Sequence, residues 1–147
     1  MRHLSDDEID TVLLRNGIGV LSLYDGTYPY PLPMSFGYDG STPLFVMQFG
    51  TTGETRKQRC LADDPGAGFA VYEYDDADEE WRSVVITGDL VEIPDDETEH
   101  AFAALTANAE FPPDLSVWGA PLQDATLSLY ELDIDEVAGR AFSMGVD

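Results

Sequence analysis

Three of the chain's seven cationic residues, Arg56, Lys57 and Arg59, fall within four positions. The other four, Arg2, Arg15, Arg82 and Arg140, are scattered through a sequence with 29 Asp and Glu and a net charge of −22. On a helix, positions 56 and 59 share a face, and 57 points roughly 100° away from 56. The preceding Gly50-Thr51-Thr52-Gly53 supplies hydroxyls and backbone N–H groups. A Gly/Thr loop that opens a helix with Arg and Lys in its first turns has the donors of a phosphate cradle. Cations at a helix start oppose the macrodipole, and a bound anion would relieve that cost. The alternative is a solvated helix, ion-paired to the many carboxylates nearby. The cradle is not a P-loop, because G-x-x-x-x-G-K-[ST] does not occur.

No other chemistry assembles from spacing. His3 and His100 are the only histidines, and so distant a pair makes no metal site. H-E-x-x-H, G-x-S-x-G and G-x-G-x-x-G are absent. The single cysteine, Cys60, excludes an internal disulfide and reads as a core residue beside Leu61. No catalytic residue and no metal ligand is assigned. The charge disfavours nucleic acid, whose affinity comes from releasing counterions against Lys and Arg, and an anionic membrane surface for the same reason. No apolar run approaches the ~20 residues of a membrane span. The N-terminus lacks an apolar signal segment, so a cytoplasmic location is expected. Acid is dispersed along the whole chain and Lys57 is the only lysine, a composition that resembles proteins of salt-loving organisms. Such a surface needs screening, and the fold is expected to be lost at low ionic strength.

The elements that must carry these residues can be read in order. One domain spans the chain, 1–147. Ser5 and Glu8 form an S-x-x-E capping box, and Ile9, Val12 and Leu13 recur at helical spacing, which predicts a helix from Ser5 to about Asn16. Ile18–Tyr24 and Tyr28–Tyr38 read as strands joined through Asp25-Gly26. Pro29, Pro31 and Pro33 cannot donate to a ladder, so the second of these starts at a sheet edge or is irregular there. Asp39-Gly40 is another turn, followed by a strand over Leu44–Phe49. Glu54–Leu61 reads as a short helix. Gly68–Tyr74 and Trp81–Ile93 read as strands around an acidic hairpin loop, with a bulge or bend at Gly88-Asp89. Asp95 or Asp96 can cap a helix through His100–Ala109, and Phe111–Pro121 is a connection. Ala125–Val137 is a strand, with a further short one at Arg140–Met144. About six consecutive strands and three helices fit an antiparallel barrel with appended helices rather than parallel βαβ units.

Three segments then stand out together: Gly19-Val20-Leu21 with Tyr30-Pro31-Leu32-Pro33-Met34-Ser35-Phe36, the Arg56-Lys57 helix, and Trp81-Arg82-Ser83-Val84-Val85-Ile86-Thr87-Gly88. In that order the chain resembles the pyridoxamine 5′-phosphate oxidase-like family of FMN-binding split β-barrels, in a haloarchaeal-type form. The resemblance implies a homodimer with two FMN sites at the subunit interface, acting as an oxidoreductase on a small molecule. It places Pro33, Met34, Ser35 and Phe36 along the isoalloxazine and ribityl chain, and Gln48 and Phe49 beside the flavin. It places Arg56 and Lys57 on the phosphate, and has Arg82 and Ser83 reach the cofactor, in many members from the second subunit. The C-terminal Trp and Arg segment that recognises pyridoxal phosphate in true oxidases has no clear counterpart. Trp118 is isolated, and Arg140 is only a loose match. The competing expectation is a dimeric module that holds flavin or haem without turnover.

Overall fold

A computed structural model describes residues 1–50, 56–108 and 125–143. Helix α1 (Asp6–Arg15) starts as its sequence dictates. Glu8 N–H donates to Ser5 Oγ at 3.2 Å, and Ser5 N–H donates to the Glu8 carboxylate at 3.0 Å, so both halves of the capping box are formed. Ile9, Val12 and Leu13 form its buried stripe. The strands are β1 (Arg2–His3), β2 (Ile18–Tyr24), β3 (Pro29–Ser35), β4 (Gly37–Tyr38), β5 (Pro43–Gly50), β6 (Gly66–Asp75), β7 (Glu80–Glu92) and β8 (Ala125–Ser143). Helix α2 (Arg56–Asp63) precedes β6, and α3 (Thr98–Asn108) follows β7.

The strands form one antiparallel sheet in the order β3-β2-β6-β7-β8-β5-β4, with β1 added to β8. Residues of β8 from Tyr130 to Ser143 pair with β7 on one side. On the other side β8 pairs with β5 over Ala125–Glu131 and with β1 at Arg140 and Ala141. At roughly 3.3 Å per residue, a straight strand as long as β8 would reach about 60 Å, twice the diameter of a small domain. It must therefore curl, and the sheet becomes the half-barrel of a split β-barrel. The bend falls where the sequence places it: the β7–β8 register shifts between Thr87 and Gly88. There a side chain on Gly88 would lie 2.1 Å from the Asp133 carbonyl oxygen, so only glycine passes.

Inside the curl, Phe69 meets Phe36 and Phe45 edge-on, with ring centroids 4.9 and 5.0 Å away. Leu21, Met47, Val71, Val84, Ile86 and Leu132 complete this centre. The Tyr38 hydroxyl donates to Asp10 at 2.6 Å and ties β4 to α1. A second, smaller cluster of Leu44, Ile93, Ala101, Leu105 and Leu129 seats α3 against β4 and β5.

Several expectations are corrected. There is no break before Arg140: β8 is continuous through Gly139, where the chain needs a close approach to Ile9 and Leu4 rather than a turn. Two strands of two residues, β1 and β4, exist only through their pairing partners, so the described sheet has eight strands rather than about six. Asp95 and Asp96 do not cap α3. They lie in a 3-10 turn, Asp95–Glu97, entered from Pro94, and α3 begins at Thr98. The proline-rich connection at 111–121 lies outside the described residues. Among those described, no helix is long and apolar enough to cross a membrane.

The seat of α3 is tightest at Gly37, where an added Cβ would lie 2.7 Å from the backbone of Leu105. Gly37→Ala should therefore lower stability by about 1–3 kcal/mol by forcing α3 off the sheet. Denaturant unfolding measures this, and a variant as stable as the parent would show that α3 is not held by that contact.

Candidate cofactor site

The basic cluster opens α2, which lies against β2. Arg56 does not extend into water. Its Nη2 and Nε donate to a single oxygen of Asp25, Oδ2, at 2.7 and 3.2 Å. Its Cζ stands 4.1 Å from the centre of the Tyr30 ring, a cation–π contact with β3. The guanidinium thus joins the start of α2 to the β2–β3 hairpin. Lys57 is half-buried, and burial lowers its pKa. Arg59 is exposed.

Asp25 is itself built into the turn. Its Oδ1 accepts the Thr27 and Tyr28 N–H groups at 2.9 and 2.8 Å, while Gly26 takes a left-handed conformation, φ 94°. The backbone donors of Tyr28 and Thr27, with the Arg56 guanidinium, hold this carboxyl down at about 2.

The strand beside them has an unusual edge. β3 is the last strand of the sheet, and its register sets Pro29, Pro31 and Pro33 opposite Tyr24, Ser22 and Val20. A regular ladder needs the missing N–H of each proline to fall on the free side. That side therefore offers the carbonyls of alternate residues and no donor until Ser35, which blocks strand addition and leaves acceptors for a ligand's N–H groups. Met34 and Ser35 are half-buried at its end, and Pro33 is exposed. Phe36 is wholly buried against Phe69, and supports the strand from within.

The remaining expected residues sort by face. Gln48 and Phe49 stand on β5 opposite Leu127 and Thr126, and their side chains lie outside the described residues, as does the loop at 51–53. Arg82 and Ser83 are neighbours on β7 but point apart. Arg82 lies on the α1 side with only 11% of its side chain exposed. Its Nε donates to Glu80 at 2.7 Å, Nη1 to Asp75 at 3.0 Å and Nη2 to Asp78 at 2.5 Å. Ser83 lies on the outer face, opposite Tyr72 and Arg140. The structure therefore brings Arg56, Lys57 and the β3 strand into one neighbourhood, and sets Arg82 in a separate carboxylate cluster. Sequence reasoning took Asp25 only as a turn residue and Tyr30 only as a strand residue.

The outer face of β6, β7 and β8 carries three successive rows: Tyr74, Trp81 and Phe142; Tyr72, Ser83 and Arg140; Ala70, Val85 and Ala138. None is acidic, in a chain with 29 carboxylates. Tyr72 is 68% exposed and Val85 49%. By contrast, a cleft of about 520 Å³ at the β7 bend is lined by Asp89, Asp133 and Asp135 and would repel a phosphate. Among the described residues no group of His, Cys, Asp and Glu is placed to hold a metal ion.

Comparison with known proteins decides the family. The family model described as pyridoxamine 5′-phosphate oxidase matches residues 5–141, almost the whole chain. The chain belongs to this family. Solved structures agree on the fold. An FAD-binding protein from Mesorhizobium loti superposes with a TM-score of 0.72 at 23% identity, covering 97% of this chain and 98% of its own. The FAD binding protein of Mycobacterium smegmatis gives 0.67 at 22%, covering 98% and 100%. An FAD and heme binding protein of the same organism gives 0.68 at 22%, covering 96% and 72%. No curated protein matches.

The depressed Asp25 carboxyl gives a pH prediction. A group whose folded pKa lies below its unfolded value stabilises the fold above the unfolded value, and that contribution is lost as pH falls through the folded one. Asp25 should titrate near 2 in a carboxyl NMR titration, against an ordinary 3.8, and Asp25→Asn should flatten the loss of stability between those values. A midpoint near 4 would show that the turn and Arg56 do not hold the carboxylate.

Proposed function

We propose that this split-barrel protein binds FMN and serves as an oxidoreductase acting on a small molecule. The observation that carries the reading is the partly satisfied guanidinium of Arg56. Asp25 closes one edge of it, while 40% of the side chain stays exposed beside the half-buried Lys57. FMN is a phosphate monoester, about doubly charged near neutral pH, and charge-assisted bonds to Arg and Lys are the strong kind. The donor set fits that group. Arg56 and Lys57 would hold the phosphate, and the free carbonyls of Pro31 and Pro33 on β3 would accept from a ring N–H. Met34 and Ser35 would line the ribityl chain, and Phe36, buried in the core, would support that strand. FMN bound there would supply the redox chemistry, and the protein's part is to bind, orient and shield it from water. FAD-binding relatives of the same fold support a flavin, and the phosphate donors favour FMN.

The proposal includes a homodimer. The three acid-free rows of the outer face are where two chains of −22 can approach at least electrostatic cost, and their aromatic residues supply apolar area. In that dimer Ser83 and Arg140 face the second subunit, whereas Arg82 acts through its carboxylate partners.

Protein purified in molar salt should be yellow, with a flavin spectrum, and FMN should bind to the stripped protein. The double variant Arg56→Gln with Lys57→Gln should weaken FMN by on the order of 100-fold, from two charge-assisted contacts of roughly 1.5–3 kcal/mol each that are not fully additive. A haem spectrum in place of a flavin one, or a colourless protein that refuses FMN, would sink the reading. Val85→Asp should turn a dimer into a monomer by analytical ultracentrifugation, and a monomeric parent removes the dimer from the proposal.

A further inference from the structure

The contact between Asp25 and Arg56 carries a step that rests on the flavin reading. We propose that Asp25, on the β2–β3 turn, is the positioning residue of the phosphate site: it fixes the Arg56 guanidinium so that the Nη1/Nη2 edge is turned to the ligand. Oδ2 takes the Nε and Nη2 donors, which closes the side edge of the guanidinium. Among the described residues Nη1 has no hydrogen-bond partner. The Tyr30 ring at 4.1 Å sets the plane of the group. Asp25 cannot follow Arg56 elsewhere, because Oδ1 is held by the N–H groups of Thr27 and Tyr28. A guanidinium stacked on one side and closed along one edge keeps a two-donor edge, which matches two phosphate oxygens. Its rotamer entropy is already lost before the ligand arrives, so less is lost on binding.

A carboxylate near a phosphate also repels it. Such repulsion acts across a longer distance and is screened more strongly by salt than the direct contacts at 2.7 and 3.2 Å that orient Arg56. In about 1 M salt the orienting effect should dominate. Asn is the suitable replacement, since its side-chain carbonyl can still accept the Thr27 and Tyr28 N–H groups while the charge that holds Arg56 is gone.

The experiment titrates the stripped protein in about 1 M salt with FMN and with riboflavin, which has the same ring and no phosphate, following flavin fluorescence. The parent should prefer FMN. Asp25→Asn should weaken FMN about tenfold and leave riboflavin unchanged. In an Arg56→Gln background Asp25→Asn should change neither. Unchanged or tighter FMN binding in Asp25→Asn would overturn the inference, because Asp25 would then only compete for Arg56. Equal losses for both flavins would overturn it too, marking damage to the hairpin. A parent that binds neither flavin overturns the flavin reading itself, and that result is read before any variant is compared.

Discussion

Seven cations share this chain with 29 carboxylates, and that imbalance governs what each cation can do. At one end of the molecule Arg2, Arg15 and Arg82 are spent on structure. Arg2 bridges Glu8 of α1 and Glu80 of β7, Arg15 of α1 grips Glu73 of β6, and Arg82 gathers Glu80, Asp75 and Asp78. Exposed pairs such as Arg2 with Glu8 contribute little singly. Arg82 differs, because it is largely withdrawn from water and removing it would leave several carboxylates facing one another. The network fastens the N-terminal strand and helix to the β6–β7 hairpin. Arg56 differs from these three: one carboxylate closes its side edge, and 40% of its side chain stays exposed.

The turn that holds Arg56 occurs twice in the chain. Asp25-Gly26 and Asp39-Gly40 form like turns: each glycine is left-handed, and each aspartate accepts two backbone N–H groups through Oδ1. Each turn leaves Oδ2 free to reach a helix. Asp25 reaches Arg56 at the start of α2, and Asp39 approaches His100 in α3 at 3.3 Å. The Asp-Gly pairs were legible in the sequence as turns, because the requirement for a left-handed residue is local. Their second role was not, since Asp25 and Arg56 are 31 residues apart and meet only once β2, β3 and α2 are packed.

That division between local and tertiary determination runs through the rest of the molecule. The capping box of Ser5 and Glu8 is set by nearby residues, and the proline run and Gly88-Asp89 mark an edge or irregular strand and a bend by residue type alone, although the close approach that requires glycine at 88 comes from Asp133. β1 could not be read in advance, because Arg2 and His3 become a strand only by pairing with Ala141 and Arg140. Gly139 carries both lessons. It looks like a break between strands, yet it sits mid-strand because Leu4 and Ile9 press against it. At the site, the Arg56–Arg59 cluster was visible as a departure from composition. The burial of Arg82 was not, since it depends on three carboxylates brought together by the β6–β7 hairpin.

The alternation along β7 links the fold to the proposed assembly. Val84 and Ile86 face the core, and Trp81 and Val85 face outward, so the segment reads as an apolar run on both sides. A strand of that kind is expected where both faces of the sheet are covered. One cover is present within the chain, where the inner face meets α1 and the Phe36, Phe45 and Phe69 centre. The other face has no carboxylate in the three rows nearest the β6–β7 hairpin, where Arg140 lies in the row beside Trp81 and Phe142. In a chain this acidic, a patch that combines exposed Tyr72, Trp81, Val85 and Phe142 with no acid suits an apolar partner. A second copy meets the requirement, because the face opposed to it would then be equally free of acid, and the like charge of the two subunits would stay at the rim where salt can screen it.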